Sequence, residues 1–123
     1  MPVNFVIALK PSAEWGMNRV YAGKHWSIRK AQAQQMHLIV KTAIRQQVRG
    51  ARLFGKPVVV RIRYNSLLDI DNHGYLAKLI IDGMKGLLIE DDDRRFVKRL
   101  EQGFHAGARD LILVEVEEAD ADA

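Results

Sequence analysis

The sequence predicts an α+β fold: one small domain in the order β-α-β-α-β-β, with a mixed sheet packed against two helices. Three observations lead there. Apolar residues recur at helical spacing in two stretches and alternate, or run together, in four others. The chain has 123 residues and is 48% hydrophobic, enough to bury one core without covalent staples. No repeat and no composition break marks a second unit, so residues 1–116 are expected to form the domain and 117–123 an acidic, disordered tail.

Val3 to Leu9 is apolar and rich in β-formers, which predicts a buried strand ended by Pro11. Residues 11–28 hold proline, glycine and aromatic residues without periodicity and read as a long structured loop. Ser27 is the expected N-cap of a helix from about Ile28 to Arg49, with Gly50 at its C-terminal stop. Its core face is Met36, Ile39, Val40, Ala43, Ile44 and Val48. Val58 to Tyr64 predicts a strand with Val58, Val60, Ile62 and Tyr64 on one face and Val59, Arg61 and Arg63 on the other. After a short connection through Asp71, Asn72 is expected to cap a second helix running to Lys85-Gly86, with Leu76, Leu79, Ile80 and Met84 inward and Leu87 a further candidate. Phe96 to Phe104 and Leu111 to Val116 are read as two antiparallel strands joined by a turn around 105–110.

The chain has no cysteine, which excludes a disulfide framework, a zinc finger and a thiol nucleophile, and fits a cytoplasmic location. No apolar run approaches a membrane span, and Met1 to Leu9 lacks the charged region of a signal peptide. His25, His37, His73 and His105 have no zinc-ligand spacing, and no phosphate-binding glycine loop or serine-nucleophile elbow occurs, so no nucleotide cofactor is implied. Charge is unevenly spread. From Met1 to Arg63 there are twelve Lys and Arg against one acid, Glu14, whereas the rest holds seven bases and fourteen acids. This is either an uneven surface or a polyanion-binding face around a cation site. Lys41, Arg45 and Arg49 form a basic stripe at helical spacing, which an ordinary solvated face explains as well as a phosphate backbone does. Trp15, Tyr21 and Trp26 have the chemistry to stack on bases, or to pack under their own loop.

The chemistry centres on Asp69-Ile70-Asp71-Asn72. Two aspartates at i, i+2 in extended chain point to one side, so both carboxylates can reach one cation. Magnesium takes hard oxygen ligands, often one or two carboxylates with waters and substrate phosphate. A second acidic group follows at Glu90-Asp91-Asp92-Asp93. Carboxylates brought together repel unless a cation or proton lies between them. Helix capping and a solvated turn are the competing explanations of the same residues.

The ordered set Asp69-Ile-Asp-Asn72, Lys78-Leu-Ile-Ile-Asp82-Gly-Met and Gly86-Leu-Leu-Ile-Glu-Asp-Asp92 resembles the RusA family of Holliday junction resolvases, its phage and prophage members most of all. The likeness spans about Val3 to Val116 and takes in Asn18-Arg-Val-Tyr21 in the basic loop. The interval from Asn72 to Lys78 is longer than in the family pattern, and the triple aspartate leaves the third ligand open, in the order Asp92, Asp91, Asp93. The resemblance implies a homodimer that binds four-way or branched DNA and nicks two opposed strands symmetrically, leaving 5′-phosphate and 3′-hydroxyl ends. It implies Mg²⁺, with Mn²⁺ as a substitute, held by Asp69, Asp71 and Asp92 or Asp91, and Lys78 offsetting charge on the phosphate. Asp82 and Asn72 would orient those groups, although a helix-surface salt bridge from Asp82 to Lys78 or Lys85 is the alternative. Asn18, Arg19, Lys24, Arg29 and Lys30 would hold the DNA backbone. The competing expectation is a non-catalytic or differently specific protein acting on branched or replication-fork DNA.

Overall fold

Alternation along the strands decides which face of the sheet is dry. In β2 (Val58–Tyr64), Val58, Val60, Ile62 and Tyr64 are fully buried, while Arg61 and Arg63 point to the opposite face. In β4 (Ile112–Glu118), Ile112, Val114 and Val116 are buried on the same side. Phe5 and Ile7 of β1 (Val3–Ile7) complete that surface. Two helices, α1 (Trp26–Gln47) and α2 (Gly74–Met84), lie on it. The computed structural model describes residues 2–9, 26–65, 73–108 and 110–119.

β1, β2, β4 and β3 (Val97–Phe104) form one mixed sheet in the order β1-β4-β2-β3. β4 runs antiparallel to both β1 and β2, and β2 runs parallel to β3. The α+β class, the two helices and the β-α-β-α-β-β order are those expected from the sequence.

One pairing differs. The last two strands run in opposite directions but are not neighbours, because β2 lies between them. The reason is burial. β2 is apolar along nearly its whole length and needs a partner on each edge, whereas Lys98, Arg99 and Leu100 of β3 are exposed and suit a sheet border. The turn around 105–110 therefore crosses over the end of β2 instead of closing a hairpin, and His105 N–H donates to Tyr64 O at 2.8 Å.

Helix boundaries also shift. α1 begins at Trp26, so Ser27 is inside its first turn and not at the cap. Its C-terminal end falls at Gln47, two residues before the expected Arg49, and the chain then turns at Gly50, whose φ of +63° is a conformation a side chain would strain. Met36, Val40, Ala43 and Ile44 are buried, with Ile39 and Val48 packed at the margin. The residue at the N-cap of α2 is His73, which makes no side-chain capping bond; Asn72 lies outside the described residues. Leu76, Leu79, Ile80 and Met84 are buried as predicted, and Leu87 is partly so. β4 continues through Glu118, so Glu117 and Glu118 belong to the sheet and not to a tail that starts after Val116. Among the described residues no helix is long and apolar enough to cross a membrane.

α1 and α2 approach closely where Gly83 faces Val40: a Cβ on Gly83 would stand 2.7 Å from the valine Cβ. Lys41, the next residue of α1, donates from Nζ to Gly83 O at 3.1 Å and to Lys85 O at 2.8 Å. These carbonyls end α2 and have no helical partner, so a cation is favourable there. Lys41 is therefore not part of an exposed basic stripe. Burial, then the charge of Arg45, pulls its ammonium below the ordinary lysine value. Arg45 and Arg49 remain exposed.

Candidate functional site

Lys78, Asp82, Asp91 and Asp92 meet at the C-terminal end of α2. Lys78 and Asp82 lie one helical turn apart, and Lys78 Nζ is 3.3 Å from Asp82 Oδ2. After Met84 the chain turns sharply. Gly86, at φ +86°, donates its N–H to Ile89 O at 2.8 Å, and Leu88 N–H donates to Met84 O at 3.0 Å. Leu88 and Ile89 are buried and pin this turn to the core, while Phe54 N–H donates to Leu88 O at 2.9 Å. Asp91 and Asp92 are thereby carried back beside Asp82.

A lysine not assigned to the site from the sequence stands at its centre. Lys85 Nζ lies 3.4 Å from Asp82 Oδ1, 3.5 Å from Asp91 Oδ1 and 3.4 Å from Asp92 Oδ1. The pairing of Asp82 with both Lys78 and Lys85 matches the salt-bridge alternative. The reach of Lys85 to Asp91 and Asp92 had no sequence signal, since it depends on the turn over 85–89. Burial pushes the Asp82 carboxyl up, but hydrogen bonding with Asp92 and the charges of Lys78 and Lys85 outweigh it and leave it below the ordinary aspartate value. Burial pulls the Lys85 ammonium down, and Asp82 and Asp92 more than reverse that.

The triple aspartate divides into two. Asp91 and Asp92 face Lys85, and Asp92 N–H donates to Asp91 Oδ1 at 2.8 Å. Asp93 turns to Arg95, which reaches it from Nε at 3.0 Å, from Nη2 at 2.8 Å and from its backbone N–H at 2.9 Å. Those bonds hold the Asp93 carboxyl down at about 2.

At the other end of α2 sits His73, also outside the sequence-derived site. It is 1% exposed, stacked on Tyr64 with ring centroids 4.0 Å apart and edge-on to Phe104 at 5.8 Å. Tyr64 Oη donates to Gln102 Oε1 at 2.9 Å, and burial raises its phenol well above the ordinary value. This aromatic group fastens the start of α2 to the ends of β2 and β3. An aromatic residue closing each strand was its only sequence signal.

Asp69, Asp71, Asn72, Asn18, Arg19, Lys24, Trp15 and Tyr21 lie outside the described residues. Lys30 is exposed on α1, Arg29 is half-buried, and the Tyr75 hydroxyl donates to Arg29 O at 3.4 Å. Among the described residues no group of three or more His, Asp or Glu side chains is arranged to hold one metal ion. Carboxylate oxygens spread around an ammonium at 3.4–3.5 Å are further out than the ~2.1 Å that Mg²⁺ requires. Among the described residues, Asp82 Oδ1 is buried and makes no hydrogen bond apart from its ion pair with Lys85 at 3.4 Å.

No family model matches the chain. No curated protein matches it either.

Proposed function

We propose that the chain is a Mg²⁺-dependent endodeoxyribonuclease of the RusA type that resolves four-way DNA junctions as a homodimer. The observation that carries the reading is the ordered set Asp69, Asp71, Asn72, Lys78, Asp82 and Asp91-Asp92, whose last four members are linked through ion pairs at one end of α2. Asp69, Asp71 and Asp92, with Asp91 beside it, would hold the metal. Bound Mg²⁺ supplies a polarised phosphate and an activated water.

The chain's own residues have distinct tasks in this reading. Lys78, with its side chain 67% exposed, is tethered through Asp82 among the described residues and can meet a phosphoryl oxygen. Asp82, with its side chain 16% exposed, orients both Lys78 and Lys85. Arg45, Arg49 and Arg52 are exposed and can neutralise phosphates, as can Lys30. Arg61 and Lys41 are engaged internally and do not count towards that surface.

The reading makes one geometric demand. Asp71 precedes α2 in the sequence, and Asp91 and Asp92 gather near Lys85 beyond its C-terminal end; eleven helical residues span about 16 Å. A shared ion would have to bring Asp69 and Asp71 within reach of Asp92 across that length.

Cleavage of a synthetic four-way junction, a fork and a linear duplex, each with Mg²⁺, tests the proposal. Symmetric nicks in the junction are expected, and Asp71→Asn should bind the junction while cutting it more than ~100-fold more slowly. Intact strands in every substrate would end the enzyme reading. A second reading, a non-catalytic protein of branched DNA, draws on Lys85, which neutralises the acids without any metal. It predicts junction binding indifferent to Mg²⁺.

A further inference from the structure

Where β1 begins and β4 ends, the chain between α1 and β2 curls over the sheet and leaves a cavity of about 600 Å³. Its wall is apolar, with Val48, Leu53, Phe54 and Leu88 among the residues that line it. Its basic groups are Arg49 and Arg52. Both are exposed, and neither makes an ion pair among the described residues. The frame is fixed in advance: Gly50 turns the chain at φ +63°, and Phe54 N–H donates to Leu88 O at 2.9 Å. Leu53, 46% exposed, leaves apolar surface uncovered between the arginines and Phe54.

β4 ends at the same place. Glu118 lines the cavity, and Ala119 N–H donates to Pro57 O at 2.8 Å, which sets the chain down beside the end of the same loop. The next four residues, Asp120-Ala-Asp-Ala123, lie outside the described residues. Four residues span at most ~14 Å of extended chain, more than the width of a cavity of this volume.

We propose that residues 120–123 dock into this cavity, with the carboxylates of Asp120 and Asp122 on Arg49 and Arg52 and the alanine methyls against Leu53 and Phe54. Position and charge complementarity select this occupant. Two acids follow a backbone bond at the cavity's edge, and two unpaired arginines stand in its lining. In extended chain Asp120 and Asp122 point to one side and the alanines to the other, as a cavity with a basic rim and an apolar wall requires. Each ion pair is weak where water reaches it, but the tether holds the acids at an effective concentration in the millimolar range. Glu118 subtracts from the positive field, so salt or a competing polyanion can release the tail. The docked tail covers two of the bases assigned above to the DNA backbone and competes there with phosphate. That consequence rests on the nuclease reading; the docking does not.

The chain has no cysteine, so Ala123→Cys carries a single nitroxide label. In the full ¹⁵N-labelled chain at low salt, the label should broaden the amide signals of Gly50, Arg52 and Leu53. Asp120→Asn/Asp122→Asn in the labelled chain should at least halve that broadening, and so should about 0.5 M NaCl. Broadening indifferent to both overturns the inference. Broadening seen only between molecules, in a mixture of spin-labelled and ¹⁵N-labelled chains, moves the tail to a second copy and also overturns it. A second measurement reads the competition. Asp120→Asn/Asp122→Asn without the label should bind a synthetic four-way junction about fivefold more tightly than the wild type, and the gain should vanish in an Arg49→Gln/Arg52→Gln background. A gain that survives there comes from net charge alone and overturns the competitive role, as does an unchanged affinity. If the charge-dependent broadening is present and no protein binds the junction, the docking stands and the DNA reading fails.

Discussion

Among the described residues, two places set one cation among three carboxylates, and they do so in opposite ways. On the open face of the sheet, Arg61 donates from Nε to Glu101 at 2.6 Å, and from Nη1 to Glu115 at 2.8 Å and to Glu117. Strand register dictates this group, because Arg61 lies directly opposite Glu101 on β3 and Glu115 on β4. At the end of α2, Lys85 faces Asp82, Asp91 and Asp92 at 3.4–3.5 Å from a turn. The guanidinium's planar fork makes short, directed bonds on a rigid platform, whereas the ammonium is a point charge on a flexible stem. The first arrangement closes a surface. The second gathers acids without committing them.

The contrast can be broken, from large effects to small. Asp92→Asn is expected to slow Mg²⁺-dependent junction cleavage more than ~100-fold, while Glu115→Gln, with the same charge change, alters it less than ~2-fold. Equal losses in a gel-based nicking assay would make the two clusters equivalent. Gly83→Ala forces a methyl against Val40 and should cost ~1–3 kcal/mol in urea unfolding. It should also loosen the acid cluster, seen as faster amide exchange at Leu87 and Leu88. Lys41→Met removes a charged donor from two terminal carbonyls and is expected to cost ~1–2 kcal/mol by the same unfolding measurement.

Asp93 gives a test in pH. Its carboxyl, held at about 2 by Arg95, should remain ionised at pH 3 in a ¹³C NMR titration. A lowered folded-state value means that the stabilisation is fully present above the ordinary 3.8 and is lost as pH falls towards 2. Arg95→Gln should return the titration to the ordinary range. The smallest effect is at the DNA surface: Arg45→Gln should leave stability unchanged within ~0.5 kcal/mol and lower the salt slope of junction binding by about 1.

The fold was legible where one face of an element is apolar and the other is not. β2, α1 and α2 declare their inward residues by period alone, and those residues are buried. Pairing was not legible for β3. Its own alternation is weak, and its place beside β2 follows from how dry β2 is, a property of a different strand. The site divides in the same way. Asp82 and Lys78 are neighbours by helix geometry, so their contact could be read from spacing. Lys85 joins Asp91 and Asp92 only through the turn made by Gly86, and His73 joins Tyr64 and Phe104 only through the packing of α2 on the sheet. Lys41 looked like one of a basic row, yet one residue of that row meets the end of a second helix.

The strand order carries a consequence for synthesis. β1 is made early, but its sheet partner is β4, and Val3 pairs with Val116. β2 likewise has both of its partners, β3 and β4, still to come. Nearly the whole described chain must leave the ribosome before the sheet can close, and contacts of such sequence separation form slowly. Until then, among the described elements, α1 and α2 are what Phe5, Ile7 and the valines of β2 can shelter against. The growing chain depends on its helices to stay out of trouble, and on Glu118 to end the wait.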